Sequence, residues 1–339
     1  MSANATTAAT QAEEASEAHN FAFRIAFAAA TGLTLGEILG WDFPFLPAML
    51  AVQLLTGLGP ISVKQGIGLV GTMAAACAFT AILGQILIDS TLILVLTVSL
   101  LVFLEFLLIA RGQAVGVATI FLMNTAIVPL LGTESMSLAN ELIFSLIAGT
   151  LLAVLLAFAA HALFPTRLRA EPLSTSAQIG SPTSIALANT AVLMSVVVYF
   201  IVTTSPVSMV VVLTVIGILR QPVNLAGGAA FGLILGNLVG GFAATVAYLL
   251  VTLFPSPAFL LLVVLLAGLL LGERIARGGA LAPIYTVSLI TFLIVLGLGL
   301  SPLPQDSGAI FTARVFDVLV AGVYAIGMAS LLRSAFRAI

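Results

Sequence analysis

The chain lacks most of what soluble chemistry uses. It holds one cysteine, two histidines and one tryptophan in 339 residues. A single thiol, Cys77 inside an alanine run, excludes an intrachain disulfide framework and a thiolate metal site. With neither a His-Glu-x-x-His nor a Gly-x-Ser-x-Gly pattern, the sequence carries no signature of an intramembrane metalloprotease or serine hydrolase, so no enzyme activity and no cofactor are expected. A Gly-x-x-x-x-Gly-Lys-Ser/Thr loop is missing too, which argues against ATP as the energy source. No basic stretch offers a footprint for nucleic acid. Charge itself is scarce, at 7% of residues against about 25% in a soluble domain.

What remains is apolar, at 61%. Apolar segments fall at about 22–41, 44–59, 65–88, 91–109, 113–131, 139–164, 184–204, 206–219, 225–254, 257–273, 279–300 and 311–334, most near the roughly 20 residues a membrane span needs. The expected fold is an all-α polytopic membrane protein of about twelve transmembrane helices, arranged as two parallel six-helix repeats with both termini cytoplasmic. Residues 1–20, polar and acidic without a basic n-region or cleavage site, are expected to form a disordered cytoplasmic tail and not a signal peptide. Residues 21–164 form the first repeat, 165–183 a Pro/Ser/Arg cytoplasmic linker and 184–339 the second repeat.

The charges support this count. Lys64, Arg111, Arg167, Arg169, Arg220, Arg274, Arg277, Arg333 and Arg337 all fall on even-numbered loops or the C-terminal tail, whereas Asp42, Asp89, Glu134 and Asp306 occupy odd-numbered loops. Lys and Arg accumulate on the cytoplasmic side.

The repeat is visible in register. Pro60-Ile-Ser-Val-Lys-Gln-Gly66 returns 162 positions later as Pro222-Val-Asn-Leu-Ala-Gly-Gly228, and Ala110-Arg-Gly112 returns as Ala276-Arg-Gly278. Six spans per half means the repeats run in the same direction, placing a pathway between them. Segments 2 and 8 are both short and open at Pro44 and at Ser205-Pro206, so each could present a helix N-terminus inside the membrane. Gly32, Gly36 and Gly40, and Gly228 to Gly240 in steps of four, are ridges for close helix packing.

Ionisable residues inside spans are functional candidates, because each costs roughly 2.5–3.5 kcal/mol at the bilayer centre. Asp317 lies three residues after Arg314, on one helix face; an arriving carboxylate competing for the Arg314 guanidinium would free Asp317 to take a proton. A structural pair fixing helix register is the plainer alternative. Glu105 stands alone in Leu-Val-Phe-Leu-Glu105-Phe-Leu-Leu, as suits a proton relay; within about two turns of the cytoplasmic end, a water-filled inner vestibule satisfying it is the alternative. Glu37 and Glu141 sit near the outer ends of spans 1 and 6, where they join a polar vestibule or snorkel outward. Asn124 beside Pro129, Tyr285 beside Pro283, and Ser205 are candidates to line a substrate path; helix-to-helix hydrogen bonding is the alternative for Asn124.

Arg24, the stretch Gly40-Trp-Asp-Phe-Pro-Phe-Leu-Pro47, the turn Gly59-Pro-Ile-Ser-Val-Lys-Gln-Gly66, and Arg314-Val-Phe-Asp317 with Gly322 together resemble the fusaric acid resistance and aromatic acid exporter group, in its compact bacterial (DUF2955-like) branch. Larger members insert soluble cytoplasmic domains where this chain has only the 165–183 linker. The resemblance implies a proton-driven inner-membrane exporter of small aromatic or other weak carboxylic acids. The partners it implies are membrane lipid, the organic acid, a periplasmic adaptor of the membrane-fusion type and further copies in a homo-oligomer. Two other classes compete: a major-facilitator-like transporter, whose Asp-Arg element between spans 2 and 3 is missing here, and a non-transporting assembly subunit.

Overall fold

In hydrocarbon only a helix satisfies every backbone N–H and C=O within its own segment. A computed structural model describes residues 2–57, 60–166, 181–203, 208–219, 228–279, 281–300, 316, 320–329 and 331–332, and the regular structure among them is α-helical. The helices are α1 (Ser2–Ile38), α2 (Phe45–Gly57), α3 (Val63–Leu87), α4 (Thr91–Ala110), α5 (Val115–Glu134), α6 (Met136–Leu163), α7 (Pro182–Thr203), α8 (Ser208–Leu219), α9 (Gly228–Leu253), α10 (Pro257–Ala276) and α11 (Ala282–Leu300). A last apolar helix, α12, covers Val320–Ala329. Among the described residues nine stretches are long and apolar enough to cross a membrane, which makes the chain a multi-pass membrane protein.

The expected short segments are short. α2 and α8, with 13 and 12 residues, measure about 20 and 18 Å. The expected tail differs: α1 begins at Ser2, because its opening stretch is rich in Ala with several Glu, both strong helix formers. Its membrane-length portion is Ser16–Ile38.

The chain divides into two compact units, and these are not the two sequence halves. Unit 1 comprises residues 1–66, 148–172 and 238–304; unit 2 comprises 67–147, 173–237 and 305–339. In unit 1, α1 lies along α10 and α2, and α11 touches α2, α10 and α1. Small residues permit these approaches: a Cβ on Gly268 of α10 would stand 2.7 Å from Ala26 Cα on α1, and one on Gly297 of α11 would stand 2.6 Å from Phe45 Cβ on α2. The large side chains Phe21, Ile25, Leu33, Phe45, Leu46 and Phe292 fill the space between.

Unit 2 contains the pairings α7·α4, α7·α8, α4·α5, α8·α5 and α7·α5. They are the unit 1 pairings α1·α10, α1·α2, α10·α11, α2·α11 and α1·α11 with each helix moved six places. The residues at the contacts are not the same. Ala110 and Ala276 are 166 positions apart, and the same offset sets Val102 and Phe106 of α4 where α10 has Gly268 and Gly272.

Candidate functional site

Leu94, Val98, Val102, Glu105 and Phe106 form the buried stripe of α4. Their spacing of three and four residues puts them on one face, so Glu105 is directed inward by the same periodicity that buries its apolar neighbours. The carboxyl group is 7% exposed. Thr125 of α5 donates its Oγ1–H to Glu105 Oε1 at 2.7 Å, within the range of a hydroxyl bonded to a carboxylate. The second oxygen, Oε2, is buried without a hydrogen-bond partner among the described residues.

Beside Thr125, the Asn124 side chain is fully enclosed. Its Nδ2 donates to the Ile120 carbonyl at 2.8 Å and faces Met73 Sδ at 3.4 Å, and its Oδ1 accepts from Cys77 Sγ at 3.0 Å. Both amide hydrogens and the oxygen are thus engaged, and Asn124 links α5 to α3. One turn further along α5 stands Pro129, which cannot donate to the carbonyl four residues before it, that of Thr125. Two cavities meet at this proline. A small open cleft is lined by Thr80, Gln85, Pro129, Thr133 and Asn140 among others. A smaller apolar cavity lies between α4, α5 and α7, with Val98, Pro129, Met194 and Val197 in its wall. Thr119 and Ser145, also in unit 2, each bury a hydroxyl with no partner among the described residues.

The other sequence candidates lie apart from this cluster. Glu141 is exposed at the start of α6. Glu37 is half-buried in the last turn of α1 in unit 1, where its carbonyl accepts the Gly40 N–H. Tyr285 is half-buried in the first turn of α11, also in unit 1. Ser205, Arg314 and Asp317 lie outside the described residues.

Sequence reasoning missed Thr125 and gave Arg24 no structural role. A hydroxyl next to a mid-span asparagine was a signal for the first. For the second, an arginine inside the first apolar segment was the signal: Arg24 is 3% exposed. It donates from Nε and Nη2 to the Phe164 carbonyl at 3.2 and 2.9 Å, so α1 caps the C-terminal end of α6. Phe23 stacks on Phe164, with centroids 5.7 Å apart. At the same end of unit 1, Glu273 of α10 pairs with His19 at 3.5 Å and with Arg277 at 3.7 Å.

Residues 21–160 match the model of a family described as "Protein of unknown function (DUF2955)". The match spans most of α1 through α6 and includes Glu105, Asn124, Thr125 and Pro129. No curated protein and no solved structure matches the chain.

Proposed function

We propose that this chain is a proton-coupled secondary transporter of the bacterial inner membrane that exports small aromatic or other weak carboxylic acids, working with a periplasmic adaptor of the membrane-fusion type. The observation that carries the reading is Glu105, a carboxyl group buried between helices, with one oxygen held by Thr125 and the other without a partner among the described residues. A purely structural hydrogen bond has no need of an ionisable acid, and groups that must gain and lose a proton inside a membrane are of this type. The cargo and adaptor rest on the sequence resemblance, together with the Arg314–Asp317 element as the carboxylate anchor.

The architecture that goes with this reading is a pair of parallel six-helix repeats that exchange helices, each half giving part of itself to both units. The matching pairings in the two units support it, as does the clustering of the inner ends of α1, α6 and α10 around Arg24 and Glu273. Both termini are then cytoplasmic.

The test is uptake of radiolabelled benzoate and related aromatic acids by inside-out vesicles with an imposed pH gradient, comparing wild type with Glu105→Gln and Asp317→Asn. Gradient-driven uptake by the wild type that is lost in Glu105→Gln is the expected result. Undiminished uptake in Glu105→Gln would remove Glu105 from the coupling step.

A further inference from the structure

We infer that protons reach Glu105 from the loop 88–90 end of unit 2, through the cleft at Pro129 and across the Thr125 hydroxyl. This rests on Glu105 being the coupling group proposed above.

The cleft opens where the C-terminal end of α3, the start of α4, the end of α5 and the start of α6 come together, and this end carries Asp89 between α3 and α4 and Glu134 at the end of α5 but no Lys or Arg. By the distribution of basic residues this is the outer side, the side from which protons must enter to drive export. Gln85 and Asn140 are exposed at its wall, Thr133 is half-buried and Thr80 is buried. Polar groups therefore continue inward to Pro129.

At that point the helix changes character. Carbonyls of an α-helix point toward its C-terminus, so the Thr125 carbonyl points along α5 toward Pro129, whose ring nitrogen has no hydrogen to offer it. The hydrogen-bonding capacity so released is one helical turn from the cleft wall. A water at that carbonyl is also within a turn of the Thr125 hydroxyl, and this hydroxyl already donates to Glu105 Oε1. The transfer is balanced: a protonated water in the cleft gives its proton to Thr125 Oγ1 while the Thr125 proton passes to Glu105 Oε1, leaving neutral water, a restored hydroxyl and a neutral carboxyl group.

Among the described residues no other ionisable group stands on the route. There the helices packed most heavily on α4 are α5 and α7. Before its terminal Glu134, α5 has no ionisable residue, and α7 has only Tyr199, which is 61% exposed. On α3, Cys77 is committed to Asn124, and Lys64 stands at the opposite end of that helix.

The experiment follows the Glu105 carboxyl itself and needs no cargo. Full-length protein in lipid vesicles is moved into D2O, and the hydrogen–deuterium exchange of the carboxyl C=O stretch is timed by infrared difference spectroscopy, the band being assigned by its absence in Glu105→Gln. Pro129→Ala supplies the missing N–H to the Thr125 carbonyl and should slow exchange by about tenfold, the factor one hydrogen bond commands. Thr125→Val removes the relay and should slow it at least as much, and Thr133→Val at the cleft wall is a milder check should Pro129→Ala fold poorly. Wild-type exchange rates in Thr125→Val and in a folded Pro129→Ala or Thr133→Val would overturn the route. That result would leave Glu105 as the coupling group, a question the Glu105→Gln uptake decides separately.

Discussion

Where α10 crosses α1 in unit 1, Gly268 and Gly272 bring backbone against Ala26 and Ala22; where α4 meets α7 in unit 2, Val102 and Phe106 occupy the matching positions. Lipid gives helices no hydrophobic reason to associate, so packing of small residues and polar links must do it. Unit 1 relies on the first. Unit 2 has bulkier contacts, two cavities meeting at Pro129, a polar link from Asn124 and three buried polar atoms, on Glu105, Thr119 and Ser145, without partners among the described residues. Unit 1 has one such atom, on Thr34. One set of pairings has been filled once by close approaches at glycine and once by bulkier contacts around a buried carboxyl group and two cavities.

The interleaving of the halves gives the largest expected effect. Because α1 needs α10 and α4 needs α7, neither half of the chain can bury its own faces. Residues 1–180 or 181–339 expressed alone should fail to accumulate as monodisperse protein, while the two expressed together should restore it, as read by fluorescence-detected gel filtration. Stable separate halves would mean that the units do not depend on the exchange.

Much of this was legible in the sequence and some was not. Apolar run lengths located the helices, including the two short ones, because hydropathy decides which stretches can sit in lipid. Pro60–Gly66 reads like Pro222–Gly228, and the helix pairings of the two units correspond six places apart. What could not be read was which helices pair, because a parallel repeat fits both segregated and exchanged halves. Glu105 was found because a charge in an apolar run is rare; Thr125 was not, because a threonine in a membrane helix ordinarily bonds its own backbone, as Thr80 does to Ala76. For Asn124 the sequence left a substrate path and a helix-to-helix hydrogen bond both open, because it does not reveal that Cys77 and Met73 lie opposite.

Next in size are substitutions at the crossings. Gly268→Ala sets a methyl group 2.7 Å from the Ala26 Cα, a backbone atom that cannot turn aside, and should cost about 1–3 kcal/mol. Adding a methylene in unit 2 should do the opposite: Val98→Ile extends into the apolar cavity beside Pro129 and is expected to be neutral or to stabilise by up to about 1 kcal/mol. Gel filtration after graded heating compares the two, and equal losses would deny the difference in packing.

Smaller still in stability, and larger in activity, is the combined change Glu105→Leu with Thr125→Val. Replacing both partners of a buried polar pair by apolar groups of similar shape is nearly neutral for folding, or stabilising. The double variant should therefore melt no lower than wild type while showing no gradient-driven uptake. A double variant that still transports would make the pair an ordinary helix contact, like those of unit 1.

The smallest effect tests the polar link that unit 2 places between α3 and α5. In unit 1, α9 meets α11 at Gly240, whose missing side chain admits the Ser288 carbonyl and Thr291; in unit 2, α3 meets α5 through Cys77 and Asn124. Interhelical hydrogen bonds in membranes average only about 0.6 kcal/mol, so Asn124→Leu should barely change the melting profile. Cys77, the only thiol in the chain and fully buried, reports the local consequence directly. Its labelling by a membrane-permeant maleimide requires α3 to part from α5, and losing about 0.6 kcal/mol should raise that rate roughly threefold. Gly240→Ala, by contrast, presses on backbone and should lower the melting temperature of the whole protein. If Asn124→Leu left Cys77 labelling unchanged, the polar link would hold nothing that packing does not hold already, and the contrast between the units would rest on glycine alone.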